Sequence, residues 1–66
     1  AIRYAKKKHP EFPSDPSEGF GIMCEEVLEL CRAINEKESN DRILDEALDV
    51  AVTAIRFVEE RIKEGK

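Results

Sequence analysis

One broad apolar arc constrains this fold more than any other feature of the sequence. From about Asp41 to Glu64 the apolar residues recur at helical period and cover about half of a helical wheel drawn at about 100° per residue. The arc contains Ile43, Leu44, Ala47, Leu48, Val50, Ala51, Ala54, Ile55, Phe57, Val58 and Ile62. One partner helix cannot cover an arc that wide, and the chain has only 66 residues. We therefore expect a four-helix arrangement, most simply built from two chains.

The first long helix precedes this one, and a connector precedes both. Ala1–Lys8 is typical of the end of a helix, and the three prolines between His9 and Pro16 predict an irregular connector. Asp15 can cap the next helix, Pro16 fits its first position, and Glu18 completes a capping box. The sequence therefore predicts a well-defined start for this helix.

Glycines and a polar break set the expected bounds of the two long helices. Because Gly19 and Gly21 weaken the first turns, we expect regular helix only from near Phe20, continuing to about Glu38. Ser39–Asp41 then breaks the pattern and supplies caps for the second helix, which Gly65 ends. So short a break predicts an antiparallel helical hairpin, and the whole chain is expected to form one all-α domain.

Charge and composition limit the partners. The formal charge is −4 and 39% of the residues are charged, which argues against a nucleic-acid binder, since such a protein shows a basic face. No run approaches the roughly 20 apolar residues of a membrane span, and no signal-peptide pattern is visible. We expect neither nucleic acid nor a membrane as partner.

Two cysteines bear on the compartment. Cys24 and Cys31 are seven residues apart on one predicted helix, which separates their Cα atoms by roughly 10 Å. That distance is too long for a disulfide within the chain. A disulfide between subunits is one alternative; two packed, reduced thiols are the other, and they favour a cytoplasmic protein.

Two acidic pairs indicate a metal site. Glu26 and Glu29 are three residues apart, as are Glu46 and Asp49, so each pair shares one face of its helix. On the wheel, Glu26 lies inside the apolar arc of the first helix and Glu29 at its edge, while Glu46 borders the second arc with Asp49 beyond it. Each acid alone could be a solvated edge residue. If the two faces oppose each other, four carboxylates converge with no Lys or Arg between them, and two such charges at about 4 Å repel by roughly 4 kcal/mol. All-oxygen ligation then favours Mg²⁺, with Mn²⁺ possible.

The same residues form a longer motif. It consists of Glu25-Glu26-Val27-Leu28-Glu29, sixteen further residues, and Glu46-Ala47-Leu48-Asp49. This pattern resembles the EExxE…ExxD signature of the MazG-like all-α nucleoside triphosphate pyrophosphohydrolases, and the resemblance extends over about Gly19 to Val58. It implies an all-α dimer or higher oligomer built around a four-helix bundle. It also implies Mg²⁺-dependent cleavage of a nucleoside triphosphate to a monophosphate and pyrophosphate.

The resemblance also assigns roles by position in the motif. Glu26, Glu29, Glu46 and Asp49 would be the metal ligands. Glu25 would be the remaining catalytic acid, orienting a water or a neighbouring group; an exposed, inert position is the alternative. Relatives commonly have a fuller amino-terminal helix, so we expect this chain to lack part of that helix.

Candidate substrate contacts are fewer. Lys8 and His9 could meet a triphosphate, the alternative being a solvated basic helix end. Arg56 lies two turns beyond Asp49 and could contact phosphate, the alternative being an ion pair with Glu59 or Glu60.

Aromatic residues and competing functions complete the expectations. Phe12 and Phe20 could stack on a base or simply anchor the core or the connector. The competing function is a non-catalytic, dimerising helical module with solvated acids. A di-iron bundle would need Glu-x-x-His pairs, and the one histidine, His9, lies in the connector.

Overall fold

The computed structural model describes residues 11–65, and that part of the chain is a helical hairpin. Helix α1 spans Pro16–Asn35 and helix α2 spans Asn40–Glu64, and the span contains no strand. This confirms the predicted all-α class and the hairpin. The predicted helix end at Ala1–Lys8 lies outside the described residues.

Helix α1 begins earlier than the sequence predicted. The Asp15 carboxylate accepts a hydrogen bond from the Ser17 N–H at 3.0 Å, and the Asp15 carbonyl accepts one from the Gly19 N–H at 3.0 Å. Pro16 supplies a helical φ at the first position. These contacts offset the flexibility of the glycines, so the expected start near Phe20 is wrong.

Helix α1 also ends earlier than Glu38. Lys37 has a φ of 55°, which is the left-handed conformation that ends many helices. The Glu38 N–H donates to the Ala33 carbonyl at 3.0 Å, and the Lys37 N–H donates to the Ile34 carbonyl at 3.1 Å. This pair of bonds is a Schellman motif with lysine in place of the usual glycine. The helix closes at Asn35 because these bonds satisfy its last carbonyls.

The turn leads directly into the second cap. The Ser39 hydroxyl accepts a hydrogen bond from the Arg42 N–H at 3.2 Å, as the capping residues predicted. At the other end, the Gly65 N–H donates to the Arg61 carbonyl at 3.1 Å, so α2 stops where expected. Gly65 has a φ of −74° and therefore does not use the left-handed conformation open to glycine.

The contact between the two helices is largely polar, and we call it the inner face. Within residues 11–65, Ala33 is the only hydrophobic side chain in the buried class. The other buried residues of the two helices are Gly19, Glu26, Glu46, Asp49 and Thr53. Thr53 is satisfied locally, since its hydroxyl donates to the Asp49 carbonyl at 2.7 Å. Among the described residues, bulky aliphatic side chains are therefore at most partly buried at the inner face.

Aromatic packing closes the open end of the hairpin. The Phe12 and Phe57 rings meet edge to face, with centroids 6.4 Å apart. Gly19 lies beneath both rings, and a Cβ at that position would be 2.8 Å from Cε2 of Phe12. Arg61 ties the connector down by donating a hydrogen bond to the Ser14 carbonyl. Phe12 therefore anchors the connector.

The bulky apolar residues lie away from the inner face, on what we call the outer face. Its large side chains are between 39% and 59% exposed. They are Phe20, Val27, Leu28 and Ile34 on α1, and Leu44, Leu48, Ile55, Val58 and Ile62 on α2. The six outward apolar positions on α2, which include Ala51, alternate steps of four and three residues. Such spacing is typical of a helix face that packs against another helix, and we call these six positions the seam.

Two further observations concern the cysteine thiols and the hydropathy of the two helices. Cys24 and Cys31 are free, exposed thiols that line a shallow apolar groove on α1 with Phe20 and Val27. Neither of the two described helices is both long and apolar enough to cross a membrane.

Candidate metal centre

Three buried carboxylates meet on the inner face. Glu26 of α1 and Glu46 and Asp49 of α2 each offer one oxygen, and these oxygens all lie within 4.8 Å of one another. Their exposed fractions are 0%, 5% and 2%, respectively. We call this cluster the triad. Helical spacing explains it, since Glu46 and Asp49 are neighbours on one face of α2 and that face packs against α1 at Glu26.

The triad is electrostatically expensive as it stands. Glu46 Oε1 and Asp49 Oδ1 are buried and accept no hydrogen bond from the described residues. A buried acceptor without a partner loses its hydrogen bonds to water and makes none in the protein. The loss costs about 1–3 kcal/mol, and more when the acceptor is charged. These two oxygens point to a ligand that would satisfy them.

The chemistry of the donors indicates which ligand. All three side chains offer only carboxylate oxygens, and oxygen donors suit hard divalent cations such as Mg²⁺. A cation would also remove the repulsion among the acids. The residues present therefore fit a magnesium ion, with Glu26, Glu46 and Asp49 as its ligands.

The environment also changes the acidity of Asp49. Burial is the largest cause that raises the pKa of Asp49 above its ordinary value, followed by the negative charge of Glu46. Glu29 and Asp45 raise the pKa of Asp49 further. Asp49 therefore ionises less readily than an exposed aspartate.

Arg42 touches the triad, which the sequence analysis did not foresee. Arg42 Nη2 lies 3.0 Å from Glu46 Oε2. The expectation that no Lys or Arg would approach the acids is therefore wrong for Glu46. The signal was present, since Arg42 and Glu46 are four residues apart, the spacing of ion pairs on a helix. The Arg42 side chain is 60% exposed, whereas that of Glu46 is only 7% exposed.

The two other acids of the motif lie nearer the surface. Glu29 is half-buried, outside the triad but near enough to raise the pKa of Asp49. Glu25 is exposed and lines a shallow groove with Pro13, Glu18 and Ile22. Three of the four predicted ligands thus come together with Glu29 beside them, and Asp49 is more deeply buried than the helical wheel suggested.

Of the three predicted substrate contacts, the structure describes Arg56. The Cζ atom of Arg56 lies 5.3 Å from the centroid of the Phe12 ring, a cation–π contact that neither alternative anticipated. A role for Arg56 at phosphate stays a prediction. Lys8 and His9 lie outside the described residues.

A cleft of about 160 Å³ opens beside the triad, near the turn of the hairpin. Its described lining is Glu29, Arg32, Ala33, Glu36, Glu38, Arg42 and Glu46. Glu46 thus belongs to both the cleft and the triad, and its partner Arg42 also lines the cleft. A ligand in the cleft would lie next to a cation held by the triad.

Comparisons of the chain with family models, with curated proteins and with solved structures found no match. The likeness to MazG-like enzymes accordingly rests on the residues of the EExxE…ExxD motif in this sequence.

Proposed function

We propose that this protein is a Mg²⁺-dependent nucleoside triphosphate pyrophosphohydrolase, with Mn²⁺ as a possible substitute. The observation that carries the proposal is the triad, in which three buried carboxylates from two helices offer oxygens within 4.8 Å of one another. Two of its oxygens are buried and accept no hydrogen bond from the described residues. The match of these acids to the EExxE…ExxD motif adds the reaction class.

The proposed role of each acid follows from how deeply it is buried. The triad would hold the cation, with Glu29 as a fourth ligand at the edge of the cleft. A bound divalent cation neutralises phosphate charge and polarises water. A carboxylate that is not fully engaged in ligation, Glu25 or Glu29, would take the proton of the attacking water. The water oxygen bonds to the α-phosphorus, the α–β anhydride bond breaks, and pyrophosphate leaves.

The outer face supports an assembled form. We propose that two hairpins pack through these faces into a four-helix bundle, as a homodimer or as part of a higher oligomer. Nine large apolar side chains, each at least 39% exposed, would otherwise remain in water. Burying one such side chain is worth about 1.5–3 kcal/mol. The proposed compartment is the cytoplasm, because Cys24 and Cys31 are free, exposed thiols, which persist where the environment is reducing.

The decisive experiment measures the product. With nucleoside triphosphates and Mg²⁺, the protein should release pyrophosphate and not orthophosphate from at least one substrate. Glu46→Gln and Asp49→Asn should each lower kcat by about two or more orders of magnitude, because each removes a ligand charge with little change of shape. Glu59→Gln, an exposed acid on the same helix, is the matched control and should turn over normally.

The competing proposal is a non-catalytic dimerising module, which the outer face alone would explain. A scaffold has no use for a cation, so magnesium binding separates the two functions. If Mg²⁺ at millimolar concentration leaves the melting temperature unchanged, and the triad variants hydrolyse nucleotides as fast as the parent, the module is the better account.

A further inference from the structure

Arg42 lines the cleft and contacts Glu46, the residue that the triad and the cleft share. Its guanidinium lies 3.0 Å from Glu46 Oε2, while the other oxygen of that carboxylate, Oε1, is buried and accepts no hydrogen bond from the described residues. Arg42 therefore contacts only one of the two carboxylate oxygens of Glu46, and the Arg42 side chain is itself 60% exposed. Because the Arg42 side chain is 60% exposed, water can solvate its guanidinium when it leaves Glu46, whereas the buried Glu46 carboxylate then needs another cation.

The charge of the cleft sets an order of binding. Four glutamates and two arginines are among its described lining residues, so the cleft is net negative. A bare phosphate would be repelled, whereas a divalent cation bound first would cancel the net charge of −2 on these lining residues and remove most of that repulsion. Arg42 and Arg32 are the two lining cations that could then contact phosphate oxygens, and arginine is well suited to that contact.

We infer that Arg42 is a displaceable counter-ion that couples the cation site to phosphate binding. In the metal-free protein Arg42 holds Glu46. When Glu46 ligates a cation, Arg42 is released into the cleft and binds the phosphate chain of the nucleotide. This inference rests on the proposed function and deepens it, because it names the residue that makes phosphate binding depend on the cation.

Substitution of Arg42 should have opposite effects on the binding of Mg²⁺ and of phosphate. Arg42→Gln should tighten the binding of Mg²⁺ alone, because the cation no longer competes with the guanidinium for Glu46. The same substitution should weaken the binding of inorganic phosphate at saturating Mg²⁺, because the released arginine is missing. Opposite effects on the two ligands distinguish this role from simple loss of structure, which would weaken both.

Calorimetric titration of the full chain tests this with two probes, Mg²⁺ alone and then inorganic phosphate at saturating Mg²⁺. We expect Arg42→Gln to lower the Kd for Mg²⁺ by at least about twofold, because the guanidinium no longer competes for the buried Glu46 carboxylate, and to raise the Kd for phosphate by at least as much. Arg32→Gln is the matched control, because it removes the same charge from the same cleft but lies on α1. It should change the Kd for Mg²⁺ less than Arg42→Gln does. Arg42→Lys keeps the charge and should fall between Arg42→Gln and the parent on both probes.

The outcomes separate the two proposals. If the parent binds Mg²⁺ and Arg42→Gln leaves that affinity unchanged or weaker, the role of Arg42 is overturned while the metal site stands. Equal effects of Arg42→Gln and Arg32→Gln would also overturn it, because the effect would then be one of general charge. If the parent binds no Mg²⁺, the metal site itself is wrong.

Discussion

The inner and outer faces of this hairpin reverse the usual distribution of residues. The inner face buries Glu26, Glu46 and Asp49 with Thr53 and a single hydrophobic side chain, Ala33. The outer face leaves nine large apolar side chains between 39% and 59% exposed. In most small domains the apolar residues hold the helices together and the charges face water. Here the two helices enclose three carboxylates, and many of their large apolar side chains face away from the contact.

This reversal assigns different tasks to the two faces. The inner face gathers charge, and gathering charge costs stability. The outer face offers the apolar area that could offset that cost, but only if something covers it. If the hairpins assemble through the outer face as proposed, the stability of the triad would depend on that assembly, although the two occupy opposite sides of the same helices.

The largest expected effect comes from charging the outer face. Ile55→Glu should convert the assembled protein to monomer and lower its helicity, because Ile55 is 58% exposed in the single hairpin and central to the seam on α2. Losing one buried aliphatic side chain costs about 1.5–3 kcal/mol per subunit, and burying a charge adds to that. Sedimentation and circular dichroism measure both changes. Lys63→Glu, an exposed change on the same helix, should leave the assembly intact. If the parent protein sediments as a stable, folded monomer at micromolar concentration, the outer face does not have to be covered for the hairpin to fold.

A smaller effect is expected from neutralising the inner face. Because the pKa of Asp49 is raised in the folded protein, its stabilising contribution is fully present below the unfolded pKa and is lost as the pH rises through the folded pKa. The metal-free parent should therefore gain stability, relative to Asp49→Asn, as the pH falls through that raised pKa. At neutral pH Asp49→Asn should be the more stable of the two without metal.

Thermal unfolding over a pH series, with and without Mg²⁺, measures this difference. Magnesium should raise the melting temperature of the parent at neutral pH and have much less effect on Asp49→Asn, because ligand binding stabilises only the state that binds it. Glu59→Gln should follow the parent under all conditions. Identical pH profiles for the parent and Asp49→Asn would show that folding does not raise the pKa of Asp49.

The smallest effects come from two glycines on opposite faces of α1. A Cβ at Gly19 would lie 2.8 Å from Phe12 Cε2 and 3.0 Å from Phe57 Cδ2, whereas a Cβ at Gly21 has no heavy atom within 4 Å. Gly19→Ala should therefore destabilise the protein by about 1 kcal/mol or more through overpacking. Gly21→Ala should stabilise it by about 0.5–1 kcal/mol, the usual gain for a helix interior. Denaturant unfolding at equal protein concentration compares them, and equal signs would contradict the packing at the open end.

The sequence predicted the parts of this molecule that depend on local chemistry. Asp15 and Ser39 cap the two helices, and the short break between the helices produces the hairpin. The errors concern the bounds of α1, where the Asp15 cap and Pro16 start the helix before Gly19 and the turn at Lys37 ends it at Asn35.

The site was predictable to a similar extent. Motif spacing identified the acids that meet, because residues three apart on a helix share a face whatever the fold. The wheel misjudged the depth of Asp49, since it assumed that the centre of the apolar arc faces the partner helix. It also attached no importance to Arg42, whose distance from Glu46 depends on how a long side chain folds back onto the helix.

The burial of Glu46 and Asp49 has an evolutionary consequence. Neutral side chains of the same shape at these positions should make the metal-free chain more stable, so stability and activity would favour opposite substitutions. A lineage selected only for a robust helical hairpin would lose the acids first and keep the outer face. If the proposed metal site is right, stability of the metal-free chain and cation binding place opposite demands on these two positions.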